Sequence, residues 1–261
     1  MTRVLSALVL LFVVIGVVGF LPPVATLILA STAAALAFLE YAAIARALDV
    51  HVPLALTAAS VVSACVAVGV GSAATDLVLM TSVIVIGALA VASGRPGPAV
   101  LRDVAASVLP IAYIGLPLGA LAAVRLVSGR GAVALLAAVI IVSDSAQYYT
   151  GRALGRRPLA PAISPKKTVE GAIGGVVFGT LTMTLGGAYV MASPRWMLAL
   201  AGAAISLLGI VGDLFESLLK RSAGVKDSSH LIPGHGGVLD RIDSWLFAAP
   251  VYYVFVRVLT R

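Results

Sequence analysis

Hydrophobic positions in this sequence come in long uninterrupted runs, with polar residues gathered between them rather than alternating with them. A hydrocarbon layer of about 30 Å needs about 20 apolar residues per crossing helix. Runs of that kind fall near 4–20, 23–46, 53–73, 76–93, 102–126, 132–154, 168–192, 195–221 and 244–260. The pattern predicts an all-α, polytopic transmembrane helical bundle of about nine spans. Period-two alternation, the mark of an outer-membrane barrel, is missing. The first run follows Arg3 as a signal peptide would, but Phe20-Leu21-Pro22-Pro23 lacks a small-x-small cleavage pattern and the run is read as a span. Pro110 and Pro117 interrupt 102–126, which predicts a broken or re-entrant segment there.

Composition supports the same class. Of 261 residues, 61% are hydrophobic and 11% charged, against roughly 25% charged in soluble domains. Such a chain cannot cover a water-facing globule, so soluble enzymes and disordered proteins are excluded. Cys65 is the single cysteine, so no intrachain disulfide or multi-cysteine metal site can form. The net charge of +7 resides in short loops, which points to lipid, phosphate ligands and topology rather than nucleic acid.

With nine spans the basic residues divide unevenly. Arg3, Arg46, Arg95, Arg102, Arg152, Arg156, Arg157, Lys166, Lys167, Lys220, Arg221, Lys226 and Arg241 fall on one side; Arg125, Arg130, Arg195, Arg257 and Arg261 fall on the other. The positive-inside rule makes the first side cytoplasmic, with the amino terminus inside. Residues 1–130 read as nearly bare lipid-compatible helix and 131–261 as the catalytic region of one continuous membrane domain.

Candidate chemistry concentrates on the cytoplasmic side in three stretches: Ser143–Arg152 with Ser164–Gly171, Gly212–Arg221, and Lys226–Asp243. Asp213 lies inside an apolar run, where an ionised carboxylate costs about 2.5–3.5 kcal/mol. Glu216, Ser217 and Lys220 share its helical face. That face predicts either a salt bridge with Lys220 or Arg221, or a metal or phosphate site in a hydrated cavity. Asp240 and Asp243 form a second pair at i, i+3, suited to magnesium or simply to a helix amino terminus. Asp144 is a third wall of that cavity or an arginine's partner. Acids interleaved with Lys166, Lys167, Lys220, Arg221, Lys226 and Arg241 suggest a phosphoanhydride held by metal and cations together. His235, in the glycine-rich 233–237 loop, reads as a phosphate or carboxylate contact or as a structural loop histidine. Gly171, Gly175 and Gly179 form a small-residue stripe for packing, within the subunit or at a homodimer seam.

Ser217-x-x-Lys220-Arg221, Lys226-Asp227 and Pro233-x-His235-Gly236-Gly237-x-x-Asp240-Arg241-x-Asp243 together resemble the signature of phosphatidate cytidylyltransferases. Ser164-Pro165-Lys166-Lys167-Thr168-x-Glu170-Gly171 is similar to that family's second hallmark. Two departures are Gln147 before its tyrosines and the Ser229-His230 pair. The resemblance implies transfer of a cytidylyl group from CTP to phosphatidic acid, at the cytoplasmic face of a bacterial inner membrane. It implies a magnesium cofactor, alone or with a second cation, on Asp213, Asp240 and Asp243. Lys220, Arg221, Lys226, Asp227, His235 and Arg241 are the accompanying catalytic candidates, and Ser164, Lys166, Lys167, Thr168 and Asp144 the substrate-binding ones. The rivals are a CTP-dependent polyprenol kinase and a membrane transporter. Glu40 and Arg125 are expected to be mild control sites.

Overall fold

The computed structural model describes residues 2–94 and 96–259, with side chains for 6, 8–94 and 96–258. Arg95 and Arg261, two of the charges counted for orientation, lie outside the described residues, as does the side chain of Arg3. Among the described residues the regular structure is helical apart from one short hairpin and an isolated bridge between Ile232 and Gly236, and the chain packs as two compact units: residues 1–126 with 222–241, and residues 127–221 with 242–261.

The first unit contains α1 (Thr2–Phe20), α2 (Pro23–Ala47), α3 (Leu54–Gly69), α4 (Thr75–Ala92), α5 (Ala99–Pro110) and the start of α6 (Leu116–Leu154). Pro22 and Pro23 start α2, where a fixed φ suits the first helical turn and the missing N–H would have no partner anyway. Alanines form much of the buried face of α2, including Ala30, Ala34, Ala37, Ala42 and Ala45. Small side chains allow close helix approach where lipid provides no hydrophobic drive between helices. The segment between the two prolines is neither broken nor re-entrant. It widens into one π-helical turn, Ile111–Gly115, that joins α5 to α6, the usual local answer to a missing helix donor. Gly115 and Gly119 press there against the carbonyls of Val61 and Cys65; a Cβ on either would lie 2.6 Å from its oxygen. Arg125 donates to the carbonyls of Val18 (3.2 Å) and Leu21 (3.2 Å), closing the carboxyl end of α1.

A positive φ of 77° at Gly129 divides α6. Residues 99–154, 56 in all, would otherwise make one rod of about 84 Å at 1.5 Å per residue. The break falls between the predicted spans 102–126 and 132–154.

The second unit holds the rest of α6, an antiparallel hairpin of β1 (Pro158–Ala160) and β2 (Ser164–Thr168), then α7 (Val169–Val190), α8 (Arg195–Ser222) and most of α9 (Leu239–Leu259). Thr168 ends β2 with extended backbone and its Oγ1 accepts from Gly171 N at 3.1 Å, so it is the N-cap of α7. The Gly171, Gly175 and Gly179 stripe is buried inside this unit: a Cβ would meet the Gln147 carbonyl at 2.7 Å at Gly171 and the Ser143 carbonyl at 3.1 Å at Gly175, and would clash with Ser206 at Gly179. The stripe is therefore a packing surface within the chain. Helix α9 begins five residues before the predicted span, which puts Asp240 in its first turn and Asp243 at the start of its second.

Five helical segments among the described residues are long and apolar enough to cross a membrane: Pro23–Ala47, Thr75–Ala92, Ala99–Leu154, Val169–Val190 and Arg195–Ser222. The apolar parts of α1 and α3 are shorter, Leu8–Phe20 and Leu54–Gly69. The class is an integral membrane helical bundle; the count of nine spans is not reached by these five.

Candidate active site

Two clusters of ionisable groups stand out, one in each unit. In the second unit, β2 carries Ser164, Lys166 and Lys167 on a strand too short and polar to be buried. Lys166 is exposed, whereas Lys167 is half-buried and forms an ion pair with Asp213 of α8. Ser217, one turn on, donates a long bond of 3.5 Å to Asp213 Oδ1. Asp144 of α6 and Asp243 of α9 complete the group. Both feel the negative charge of Asp213 and the positive charge of Lys167, and Asp243 also feels Asp144. One carboxylate is thus paired with the lysine and two more lie within electrostatic reach of both. Like charges held together need a further cation or proton to balance them.

The hairpin that presents Lys167 is anchored at its base. Glu170 Oε2 accepts from the backbone N–H of Arg156 (3.0 Å) and Arg157 (3.2 Å), while the Arg157 side chain donates to Oε1 at 3.2 Å. Further along α8, Lys220 pairs with Glu216 at 2.5 Å, and both are buried. The ion pair of Asp213 is thus with Lys167 of β2, and Lys220 pairs instead with Glu216 of its own helix. Arg221 is exposed at the end of the same helix.

In the first unit the 222–241 segment carries the rest of the signature. Lys226, Asp227 and Arg241 are exposed. Ser6 Oγ donates to the Pro233 carbonyl at 3.0 Å and lies 2.9 Å from His235 Nδ1. A hydroxyl has one proton to give, so with that proton on Pro233 the ring nitrogen is the donor in the second bond. His235 thus has a structural bond through Nδ1. Gly234 and Gly236 turn the loop with φ of 77° and 79°. Asp240 Oδ2 accepts from Ser228 N (3.0 Å) and Gly237 N (2.8 Å), and Ser228 Oγ, whose one proton also has Glu40 Oε2 within reach, lies 2.9 Å from it.

Of the sequence-predicted residues, the structure brings together Asp144, Lys167, Asp213 and Asp243. Asp240, His235, Lys226, Asp227 and Arg241 belong to the other unit. Among the described residues, no three His, Cys, Asp or Glu side chains form a ready-made metal cage. Sequence reasoning missed Glu40. It is 5% exposed, and its carboxylate accepts from Ser228 Oγ, Ser229 Oγ, Val238 N and Leu239 N. Glu40 is therefore tied into the fold: removing it leaves Ser229 Oγ and the amides of Val238 and Leu239 without this acceptor, and Ser228 Oγ with Asp240 Oδ2. The signal was present: a carboxylate inside an apolar helix marks a site by default.

Fold and clusters define an integral membrane protein whose acidic side chains, drawn mostly from its helices, meet basic and polar groups on short segments between them. Its sequence matches the model of the Cytidylyltransferase family over residues 1–259, and the chain belongs to that family. It is 50% identical over 124 residues to the phosphatidate cytidylyltransferase of Synechocystis, covering 47% of this chain and 42% of that protein. It is 40% identical over 153 residues to the phosphatidate cytidylyltransferase of Helicobacter pylori strain J99, 59% of this chain and 57% of the relative. Against the Bacillus subtilis phosphatidate cytidylyltransferase the identity is 38% over 151 residues, 57% and 56% of the two chains. The chain spans about half the length of the curated relatives it matches.

Proposed function

We propose that this protein transfers the cytidylyl group of CTP to phosphatidic acid, giving CDP-diacylglycerol and pyrophosphate for phospholipid biosynthesis. The family match over 1–259 carries the reading, and the Lys167–Asp213 cluster supports it. In this reaction an oxygen of the lipid phosphate bonds to the α-phosphorus of CTP. The bond from that phosphorus to the bridging oxygen of pyrophosphate breaks, and pyrophosphate leaves with the electron pair. A phosphate monoester is already anionic near neutral pH, so no strong base is demanded. The protein has to screen repulsion between two anions, align them and stabilise the leaving charge.

Lys167 and Lys166 are the cations we assign to the phosphates, held on a strand whose base Glu170 fixes. Asp144, Asp213 and Asp243 are hard oxygen donors in excess over Lys167, which suits a hard divalent cation completed by water and substrate phosphate. Asp213 and Asp243 would hold magnesium, with Asp144 beside them. Asp240 enters only through the family resemblance, since its Oδ2 is engaged by Ser228 and Gly237. When bound, magnesium would draw negative charge from the triphosphate and the departing pyrophosphate.

The 13-to-5 division of basic residues under nine spans favours the cytoplasmic face of a bacterial inner membrane. Helix α8, 28 residues long, measures about 42 Å and so reaches past the hydrocarbon into the headgroup layer. CTP would arrive from water while the acyl tails of the acceptor stay in lipid. Purified full-length protein, given phosphatidic acid, magnesium and CTP labelled at either the α- or γ-phosphorus, tests the reading. The α-label should enter lipid and the γ-label should leave as pyrophosphate. Entry of the γ-label into lipid would identify a kinase instead, and no transfer by folded protein would overturn the assignment.

A further inference from the structure

Glu40 stands on α2, in the half of the sequence that otherwise reads as bare membrane helix, yet its four hydrogen-bond donors all lie in the 222–241 segment. Oε1 accepts from Ser229 Oγ at 2.7 Å and Val238 N at 2.9 Å. Oε2 accepts from Ser228 Oγ at 2.9 Å and Leu239 N at 2.7 Å. Each oxygen therefore takes one hydroxyl and one backbone amide. Only a group that accepts on both sides satisfies this set. A glutamine in either orientation would turn an NH2 toward a backbone N–H, and an aspartate is one methylene too short.

The surrounding loop is shaped to this carboxylate. A Cβ on Gly237 would run into Ser228 Oγ and the Glu40 carboxylate, and one on Gly236 would lie 2.5 Å from Asp240 Oδ2. Val238 and Leu239 lead into α9, so Glu40 also puts negative charge at the amino end of that helix, where its dipole favours an anion. Ser228 Oγ is 2.9 Å from both Glu40 Oε2 and Asp240 Oδ2, and its backbone N–H also holds Asp240 at 3.0 Å. Asp240 in turn reaches back to Gly237 N, three residues earlier, as the returning half of a capping box does. Glu40, Ser228 and Asp240 form one connected chain of hydrogen bonds.

We propose that Glu40 is a positioning residue: its carboxylate locks the 226–241 segment and, through Ser228, fixes the orientation of Asp240. The first-half helix α2 thereby takes part in the site without touching a reacting atom. The activity arm of the test rests on the cytidylyltransferase reading; the structural arm does not.

The experiment is hydrogen–deuterium exchange over residues 226–239 in full-length protein in lipid nanodiscs, run beside steady-state kinetics with CTP and phosphatidic acid. Glu40→Gln should speed exchange at 228–239 by about tenfold or more and leave peptides of α7 and α8 unchanged. Its kcat should fall by about tenfold or more while KM for CTP stays within about threefold, because a misplaced group costs rate more than affinity. Ser229→Ala removes one donor of four and should shift both readouts the same way by less, which decides the matter if Glu40→Gln does not accumulate as folded protein. Unchanged exchange in the folded variants would overturn the lock. Faster exchange with wild-type kcat would overturn the positioning role. Should the wild type make no CDP-lipid, the reaction assignment falls and exchange alone still decides the lock.

Discussion

Two acidic clusters, one in each compact unit, differ in how their oxygens are used. In the first unit the Glu40 carboxylate and Asp240 Oδ2 are surrounded by hydroxyl and backbone donors of the 222–241 segment at 2.7–3.0 Å. Around Lys167, by contrast, Asp213 is paired with the ammonium and Asp144 and Asp243 lie within reach of the same charges, with only two donor bonds, a long one of 3.5 Å from Ser217 to Asp213 and one of 2.7 Å from Ser244 N to Asp243 Oδ1. Carboxylates saturated by donors hold backbone in place, because removing one strands its partners. Carboxylates crowded together with too few donors retain capacity for a cation from solution. The sequence presents both as aspartates and glutamates among basic residues; the local donor supply separates architecture from chemistry.

That contrast can be broken in several ways. Replacing Lys167 with alanine should have the largest effect, lowering cytidylyl transfer by about 100-fold or more with little change in melting temperature. Equal losses of activity and stability would make Lys167 architectural. Glu216→Ala should act oppositely. It removes the buried ion-pair partner of Lys220, at a cost of about 3–5 kcal/mol, read as a lower melting temperature and less folded protein in detergent. A smaller effect is expected at Gly237, where alanine must push aside Ser228 and Glu40; overpacking of that kind costs about 1–3 kcal/mol and should appear as faster exchange in 226–239. Thr168→Ala, which removes the N-cap of α7, should cost about 1 kcal/mol in thermal stability.

The fold was legible wherever apolar run length alone decides structure. Predicted spans at 23–46, 76–93, 168–192 and 195–221 end within two residues of α2, α4, α7 and α8, and the division of the 99–154 segment falls at Gly129. The hairpin was not legible, because Pro158–Ala160 and Ser164–Thr168 are too short and polar to carry a strand period. The early start of α9 was hidden by Leu239 and Asp240, which read as loop until Glu40 is seen to satisfy the amides leading into the helix. Asp213 stood out as a charge in an apolar run. Glu40 carried the same signal but belonged to no motif, and its partners lie 188 to 199 positions away. Local pattern cannot report a contact at that distance.

The central claim is that the under-supplied carboxylates around Lys167, and Asp213 above all, form the chemical centre. It is tested most directly by Asp213→Asn in full-length protein, with label transfer from α-labelled CTP to phosphatidic acid and the melting temperature measured on the same preparation. The account predicts transfer reduced to background in a protein that melts with the wild type. Near-normal transfer by that variant would contradict it.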